Sequence, residues 1–458
     1  MKKIRVGAGS AGWPDLIHPA LEVAEKGNVD YIGFDHLAEL TMSILTKMRV
    51  RDPNKGYIPD IVPLFRRLLP IWQKTGRRFK MISDGGGANP VAAGNALVKI
   101  AKDLGHTGMK IGVVTGDDIS LSRLDELRAK GLKFKSLDTG EEDIGSIRDK
   151  LVSAYAYIGG DRIIEALEQG ADIVIGGRFS DNSMYVCPMI YEFGWKFEEP
   201  YWDLIGSGVA LGHLVECAGW SAGFGSNLWK QNREPWRNSF PIIEVAENGE
   251  AIITKVPGPG GLVKSWTIKE HLVYEVHDPA NYIMPDGIAD FTTVQLEDVG
   301  ENMVKATGIR GKPRPENLKF MLGYDDGYIA EGTAVLSWPD AVEKAKRAET
   351  FVRELLKIEG LKPRDIYFGY VGINSIMGPG APWPDYEMNE VGLRVAMKVD
   401  TRDEARIARL VISMLWGGGG VGTSLLGNAL SDREVIGLWP TLIPRAEVPT
   451  KLEMMEVK

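Results

Sequence analysis

His213 and Glu216 lie three residues apart in the apolar stretch 202–218, so both fall on one side of a helix. A neutral imidazole there can take a proton, with the carboxylate fixing its tautomer. The same pair could bind a metal. Its structural alternative is a histidine hydrogen-bonded in a helix interface. The segment GGRFSDNS at 176–183 supplies Arg178 and Asp181. A guanidinium grips a carboxylate or phosphate with two prongs. Asp181 could orient that arginine, bind a cation or act as a base. The alternative is an Arg–Asp ion pair that steadies a loop. His271 with Glu275, and His277 with Asp278, are second candidates, each as readily a solvated face or a turn.

Glycine-bearing turns form the other group. Gly7, Gly9 and Gly12 spell GxGxxG, with Ser10 between them, and Asp35 lies 23 residues beyond Gly12. As a pattern this meets the dinucleotide fingerprint. Trp13-Pro14 follows at once, however, and proline suits the first turn of a helix. The helix then begins after Gly12, and the third glycine belongs to a loop. An anion-binding turn or a structural turn is favoured over nicotinamide or flavin binding. SDGGGANP at 83–90 brings Asp84, Gly86 and Asn89, whose backbone N–H groups could hold an anion or simply turn the chain. TGDD at 115–118 brings Asp117, a weaker candidate that could be a helix cap.

Five apolar runs stand in front of these groups: Ile4–Val6, Tyr31–Phe34, Phe79–Ile82, Ile111–Val114 and Ile173–Ile175. Helical patterns such as HPALEVAEKG and NALVKIAKDLG separate them. Alternation of this kind predicts an α/β fold, with an N-terminal parallel sheet and helices on both faces. Turns at the carboxyl ends of such strands gather at one edge, where ligands bind. Gly9, Ser10, Asp35, Asp84, Asn89, Asp117, Arg178 and Asp181 are therefore expected to converge. Residues 181–235 are dense in aromatics. From about 240 a mixed α+β pattern follows. It has a hairpin signal at Asn248-Gly249 and amphipathic helices at Glu343–Glu359 and Asp403–Leu415. The expected division is 1–238 as a Rossmann-like domain with an aromatic helical segment, and 239–458 as a mixed domain with a glycine-rich C-terminal tail. A weaker boundary is expected near 365.

Composition narrows the partners. Of 458 residues, 54 are basic and 62 acidic, giving −8 with no long block of either sign. That excludes a nucleic-acid surface and a polybasic membrane anchor. No apolar stretch approaches a membrane span. The N-terminus lacks the apolar core of a signal peptide. Two cysteines, Cys187 and Cys217, cannot build a disulfide framework and are taken as packing residues, so a cytoplasmic location is expected. Glycine, 54 residues against roughly 7% in ordinary chains, is clustered at turns and places of close approach.

Taken together, the glycine turn at 7–12, DYIGFDHLAELTMS (30–43), GADIVIGGRFSDNSMYVCPMIYEFGW (170–195), WDLIGSGVALGHLVECAGWSAGFGSN (202–227), FPIIEVAENGEAIITKVPGPGGLV (240–263) and HLVYEVHDPANYIMPDGIADF (271–291) resemble the acyclic terpene utilisation A (AtuA) family, DUF1446. The resemblance spans about residues 4–370. It implies a role in the breakdown of acyclic terpenes and related branched acids, handled as coenzyme A thioesters. A carbon–carbon lyase or hydratase acting on a 3-hydroxy-3-methylglutaryl-like intermediate is the implied reaction. Longer relatives carry a small C-terminal ferredoxin-like domain. This chain shows no obvious copy, which implies a separate small subunit. The family's GGN-like segment appears here as AGFGSN.

The expectation that follows is a lyase or hydratase on a small branched hydroxy-carboxylate or its acyl-CoA thioester. His213 or Asp181 would take the proton, with Glu216 beside them. Gly9, Ser10, Asp84, Gly86, Asn89 and Arg178 would hold the anion. No cofactor is certain; a divalent cation on Asp181 and Glu216 could polarise the oxygen. A homo-oligomer is expected. The alternatives are a nicotinamide- or flavin-dependent oxidoreductase using GAGSAG and Asp35, and a non-catalytic subunit of a larger complex.

Overall fold

Each of the five apolar runs forms a parallel strand. They are β1 (Lys3–Ala11), β2 (Tyr31–Asp35), β3 (Lys80–Ser83), β4 (Lys110–Thr115) and, after a strand β5 (Leu151–Ala156) outside this sheet, β6 (Ile173–Gly176). They pair in the order β1-β2-β3-β6-β4. Every residue of β2 and β6 is buried, as parallel strands covered on both faces require. Adjacent residues of β2 show the two layers. Gly33 lies against Tyr185, while Phe34 packs on Phe65 with ring centroids 5.7 Å apart. The intervening helices are α1 (Ile17–Lys26), α2 (Glu39–Arg51), α3 (Ile61–Thr75), α4 (Pro90–Asp103), α5 (Leu121–Ala129) and α6 (Asp161–Glu168). Helices α7 (Ser183–Phe193) and α8 (Trp202–Glu216) follow β6, so Tyr185 belongs to α7 and Phe65 to α3.

The computed structural model describes residues 1–258, 260–426 and 430–458. Pro259 of the 240–263 segment, and Gly427, Asn428 and Ala429 of the glycine-rich C-terminal stretch, lie outside the described residues. The chain divides into Met1–Gly323 with Leu438–Lys458, and Tyr324–Gly437. The boundary expected at 238 falls inside the first unit. There β7 (Pro241–Ala246) and β8 (Ala251–Lys255) form the hairpin, with Gly249 at φ 82. β7 pairs antiparallel with β1, whose outer edge would otherwise leave its backbone groups unpaired. After α9 (Ser265–Leu272), strands β9 (Tyr282–Met284), β10 (Gly287–Asp290) and β13 (Arg310–Lys312) make a small sheet. Strands β11 (Gln295–Gly300) and β12 (Met303–Thr307) extend the large one beyond β8.

The second unit corrects the reading that no ferredoxin-like copy is present. β14 (Asn317–Ser337) enters it, and α10 (Ala341–Ile358), β15 (Asp365–Val371), β16 (Glu390–Val399), α11 (Arg402–Ser413), α12 (Leu415–Gly418) and β17 (Thr423–Leu425) follow. The sheet order is β15-β16-β14-β17, with antiparallel neighbours throughout. β-α-β-β-α-β in this order is the ferredoxin-like pattern. Ala345, Ala348 and Val352 of α10 share one core with Ala405, Ala408 and Ile412 of α11 and with Leu393, Val395 and Met397 of β16. Small alanines let both helices lie close on the sheet. A Thr401–Glu404 capping box starts α11. The weaker boundary near 365 falls at β15, inside this unit. The C-terminal stretch is also no mere tail: β18 (Ser431–Pro444) leads back, and β19 (Lys451–Glu456) pairs antiparallel with β4 to close that sheet edge. Among the described residues no helix is long and apolar enough to cross a membrane.

Close approach explains Gly86. A β-carbon there would stand 2.4 Å from the carbonyl oxygen of Gly176 and 2.9 Å from Cα of Pro90, both backbone atoms that cannot step aside. Gly86→Ala is therefore expected to lower unfolding free energy by about 1–3 kcal/mol. Urea unfolding of the variant measures this, and an unchanged midpoint would contradict it.

Candidate active site

Strand ends β1, β2, β3 and β6 converge on a buried cluster, as the parallel topology requires. Its centre is Arg178, only 1% exposed. Its Nη1 donates to Asp181 Oδ1 at 2.5 Å and to the carbonyl of Phe179 at 2.9 Å, and lies 3.9 Å from Asp84 Oδ2. The guanidinium stacks over the Tyr157 ring at 4.0 Å. Its backbone N–H donates to Asp117 Oδ2 at 2.7 Å. Gly177 is glycine for the same reason, since a β-carbon there would sit 2.2 Å from that oxygen.

Carboxylates outnumber cations in this space. Asp35, Asp84 and Glu216 are buried, and Asp181 is partly exposed. Burial pushes Asp35 well above the carboxylate range, and the charges of Asp181, Asp84 and Glu216 push it further while Arg178 pulls it down. Burial likewise lifts Asp84 to about 7 against the pull of Arg178, and raises Glu216 against its bond to His213. One guanidinium faces all of these acids, so the buried ones are pushed toward their protonated forms. Ser10 Oγ donates to the Asp35 carbonyl at 2.8 Å and lies 3.2 Å from His36 Nδ1. Burial lowers His36 to about 4.

Helix α8 brings His213 and Glu216 to the same place. Its Gly212 lies close on Asn182, as the run of small residues allows. His213 Nδ1 is 3.0 Å from Glu216 Oε1 and 3.2 Å from the Tyr282 hydroxyl. Its Nε2 is 2.9 Å from the carbonyl oxygen of His271. A carbonyl only accepts, so the proton sits on Nε2 and a neutral His213 leaves Nδ1 bare. His271 Nδ1 meets Ser221 Oγ at 2.7 Å.

A cavity of about 360 Å³ opens beside the cluster, lined by Tyr157, Asp181, His213, Glu216, Tyr282 and Lys319 among others. Lys319 bonds Glu39 at 2.8 Å. Burial would raise Glu39, but Lys319 and Arg178 outweigh it and hold that acid at about 2. A second, apolar cavity of about 450 Å³ is lined by Ala11, Gly12, Cys217, Trp220, Phe224 and Trp236 among others. Glu216 faces the first and its neighbour Cys217 the second.

The sequence candidates divide accordingly. Ser10, Asp35, Asp84, Arg178, Asp181, His213 and Glu216 come together, with Asp117 behind them. Arg178, however, lies beneath the cavity wall and is engaged by the acids, so it is not the hand that grips a substrate; Lys319 is the cation facing the space. Asn89 is elsewhere occupied: it caps α4 through the Ala92 N–H, and its Nδ2 donates to the carbonyls of Pro53 and Lys55. Gly9 packs on Phe34 and Gly86 on β6, neither cradling an anion. Gly7 and Gly9 lie inside β1, and α1 starts only at Ile17, so the tight strand-to-helix turn that holds a pyrophosphate is not formed. Asp35, buried among acids, has no free edge for a ribose. His271 finds Ser221 and His213 rather than Glu275, and Asp278 ties up its own turn through Ala280 and Asn281. Cys187 is buried and packs against Gly160. Burial pushes the Cys217 thiol up, so it stays protonated. Tyr157, Tyr282, Ser221 and Lys319 carried no motif to find them by.

The arrangement is an acid–base centre at the carboxyl edge of an α/β sheet, open to a cavity of small-molecule size. The chain belongs to the acyclic terpene utilisation family protein AtuA family, which it matches over residues 4–454. The family is described by acyclic terpene utilisation. Neither the curated proteins nor the solved structures include a match.

Asp117 offers a test of the buried charge balance. Burial lifts it from 3.8 to about 6, against the bond from the Arg178 N–H. The folded chain then keeps a proton that the unfolded chain has lost, so stability falls as pH climbs from 3.8 to about 6 and stays lower above that. Asp117→Asn keeps an acceptor for the N–H without titrating. Relative to wild type it is expected to gain on the order of 3 kcal/mol on going from about pH 4 to about pH 7. Urea unfolding at both pH values reads the difference; parallel pH profiles would show that Asp117 ionises normally.

Proposed function

We propose that the protein is a cytoplasmic lyase or hydratase acting on a small branched 3-hydroxy-carboxylate or its coenzyme A thioester. The observation that carries this is Asp181. Its carboxylate faces the cavity with the buried Arg178 guanidinium 2.5 Å behind it, and His213, Glu216 and Tyr282 line the same space. In carbon–carbon cleavage a base removes the hydroxyl proton, the carbon–carbon bond breaks, and its electron pair passes to the enolate of the departing thioester. In dehydration a base removes a proton from the carbon beside the carbonyl, and the hydroxyl leaves with a proton from an acid. Both reactions need one cavity-facing base, one proton donor and something to meet the developing oxyanion.

Asp181 is the base, aimed by Arg178. The wall built on Glu216, His213 and Tyr282 supplies the proton and meets the oxyanion. Lys319 holds the anionic end of the substrate. The apolar cavity beyond Cys217 suits a branched hydrocarbon arm. The family's description, acyclic terpene utilisation, supports the same reading.

Asp181→Asn keeps size and polarity but removes the base. Its turnover on 3-hydroxy-3-methylglutaryl-type thioesters is expected to fall at least about 100-fold. Its melting temperature is expected to fall as well, because the buried Arg178 loses its charged partner, so turnover is compared on protein shown to be folded by circular dichroism. Mass spectrometry distinguishes release of a two-carbon thioester from loss of water. Full activity in the variant would remove Asp181 from the chemistry. A wild-type chain inert toward every such thioester would remove the reading itself.

A further inference from the structure

Helix α8 and helix α9 turn an unusual set of acceptors toward one another. His213 carries its proton on Nε2, because that atom meets the His271 carbonyl. Its bare Nδ1 then faces a carboxylate oxygen of Glu216 at 3.0 Å. Two lone pairs at that distance repel until a proton or a metal cation bridges them. His271 is fully buried, and its Nδ1 is engaged by Ser221 Oγ. Its Nε2 has no hydrogen-bond partner among the described residues. A buried ring nitrogen left without a partner is costly and calls for a ligand. Asp35 and Asp181 bring two more carboxylates to Glu216.

We infer that His213, His271 and Glu216 form a binding site for a divalent transition ion of the zinc class, with Asp35 and Asp181 beside it. One donor atom from each of the three lies within 4.8 Å of the others, and the same holds for Asp35, Asp181 and Glu216. Two bonds of roughly 2.0–2.2 Å span roughly 4 Å, so a small side-chain adjustment closes the set. Two imidazoles and a carboxylate suit zinc and its neighbours better than magnesium or calcium. The outer contacts agree. Each imidazole has its second nitrogen held, one by a carbonyl and the other by a hydroxyl, which is how ligating histidines are oriented. An ion here would supply the missing positive charge, and it would face the cavity that His213 and Glu216 line. The proposed lyase or hydratase chemistry bears only on what the ion does, not on whether it binds.

The test uses the full-length chain, stripped with a chelator and dialysed. Zn²⁺ titration followed by calorimetry is expected to give one ion per chain. Co²⁺ as a substitute is expected to give a visible absorption band from nitrogen and oxygen ligation. His271→Gln and Glu216→Gln, checked for folding by circular dichroism, are each expected to lose at least about 100-fold in affinity. A stripped wild type that binds neither ion at one per chain overturns the inference, and so do two folded variants with wild-type affinity. The two readings fail separately. Ion binding without thioester turnover leaves the site standing and sinks the lyase or hydratase reading. Thioester turnover by a wild type that binds neither ion does the reverse.

Discussion

Everything in the first unit is arranged around one buried guanidinium. Arg178 is 1% exposed, and removing such a charge from water is tolerable only with charged and polar partners close by. The chain supplies them from separate places: Asp181 from the following turn, Asp84 from the end of β3, the Tyr157 ring from beyond β5 and the Phe179 carbonyl from its own neighbour. Each contact fixes a strand end relative to the next. The guanidinium thus sets the geometry of the sheet edge while the acids around it remain in surplus. That surplus gives the edge its chemistry, because a surplus of acids in a dry space keeps protons or gathers cations.

Such a cluster needs strand ends that do not move. The glycines serve this need more than they serve any ligand. Gly86 lets the β3–α4 turn touch β6, Gly177 makes room for the Asp117 carboxylate, and Gly33 admits the ring of Tyr185. Tyr185 in turn donates to the Gly33 carbonyl at 3.1 Å, which pins α7 to β2. α7 begins immediately after Asp181 and Asn182, so the packing of one ring on one glycine helps decide where the catalytic candidate points.

Much of this architecture was legible from the residues alone, for identifiable reasons. Parallel strands buried on both faces read as short apolar runs, and all five runs became strands. The rule that their carboxyl ends share an edge then gathered Asp35, Asp84, Arg178 and Asp181 without any motif. Spacing on a helix brought in His213 and Glu216. What escaped notice depended on pairings between distant segments. β7 looks like the start of a new domain, yet it completes the sheet by lying antiparallel to β1. The ferredoxin-like unit was missed because its strands are half-exposed and alternate, so none stands out as a run. Asn89, Gly9 and Gly86 show a different limit. A glycine-rich turn that cradles an anion and one that packs on its own strand look the same as a string of residues. Only the neighbours, here Phe34, Gly176 and the Pro53 carbonyl, tell them apart.

Electrostatics links the two halves of the site. Burial, with the charge of Asp181 nearby, drives Asp35 and Asp84 toward their neutral forms. Arg178 bonds directly to Asp181 and stands 3.9 Å from Asp84, so one guanidinium joins the acid that faces the cavity to one that does not. Adding positive charge at Glu216 would lower the proton affinity of Asp35, whose carboxyl feels Glu216, since charges in a low-dielectric space act across several ångströms. The cavity wall and the buried cluster therefore cannot titrate independently. A change in what occupies the space beside Glu216 is felt at Asp35 through charge alone, without movement of the backbone.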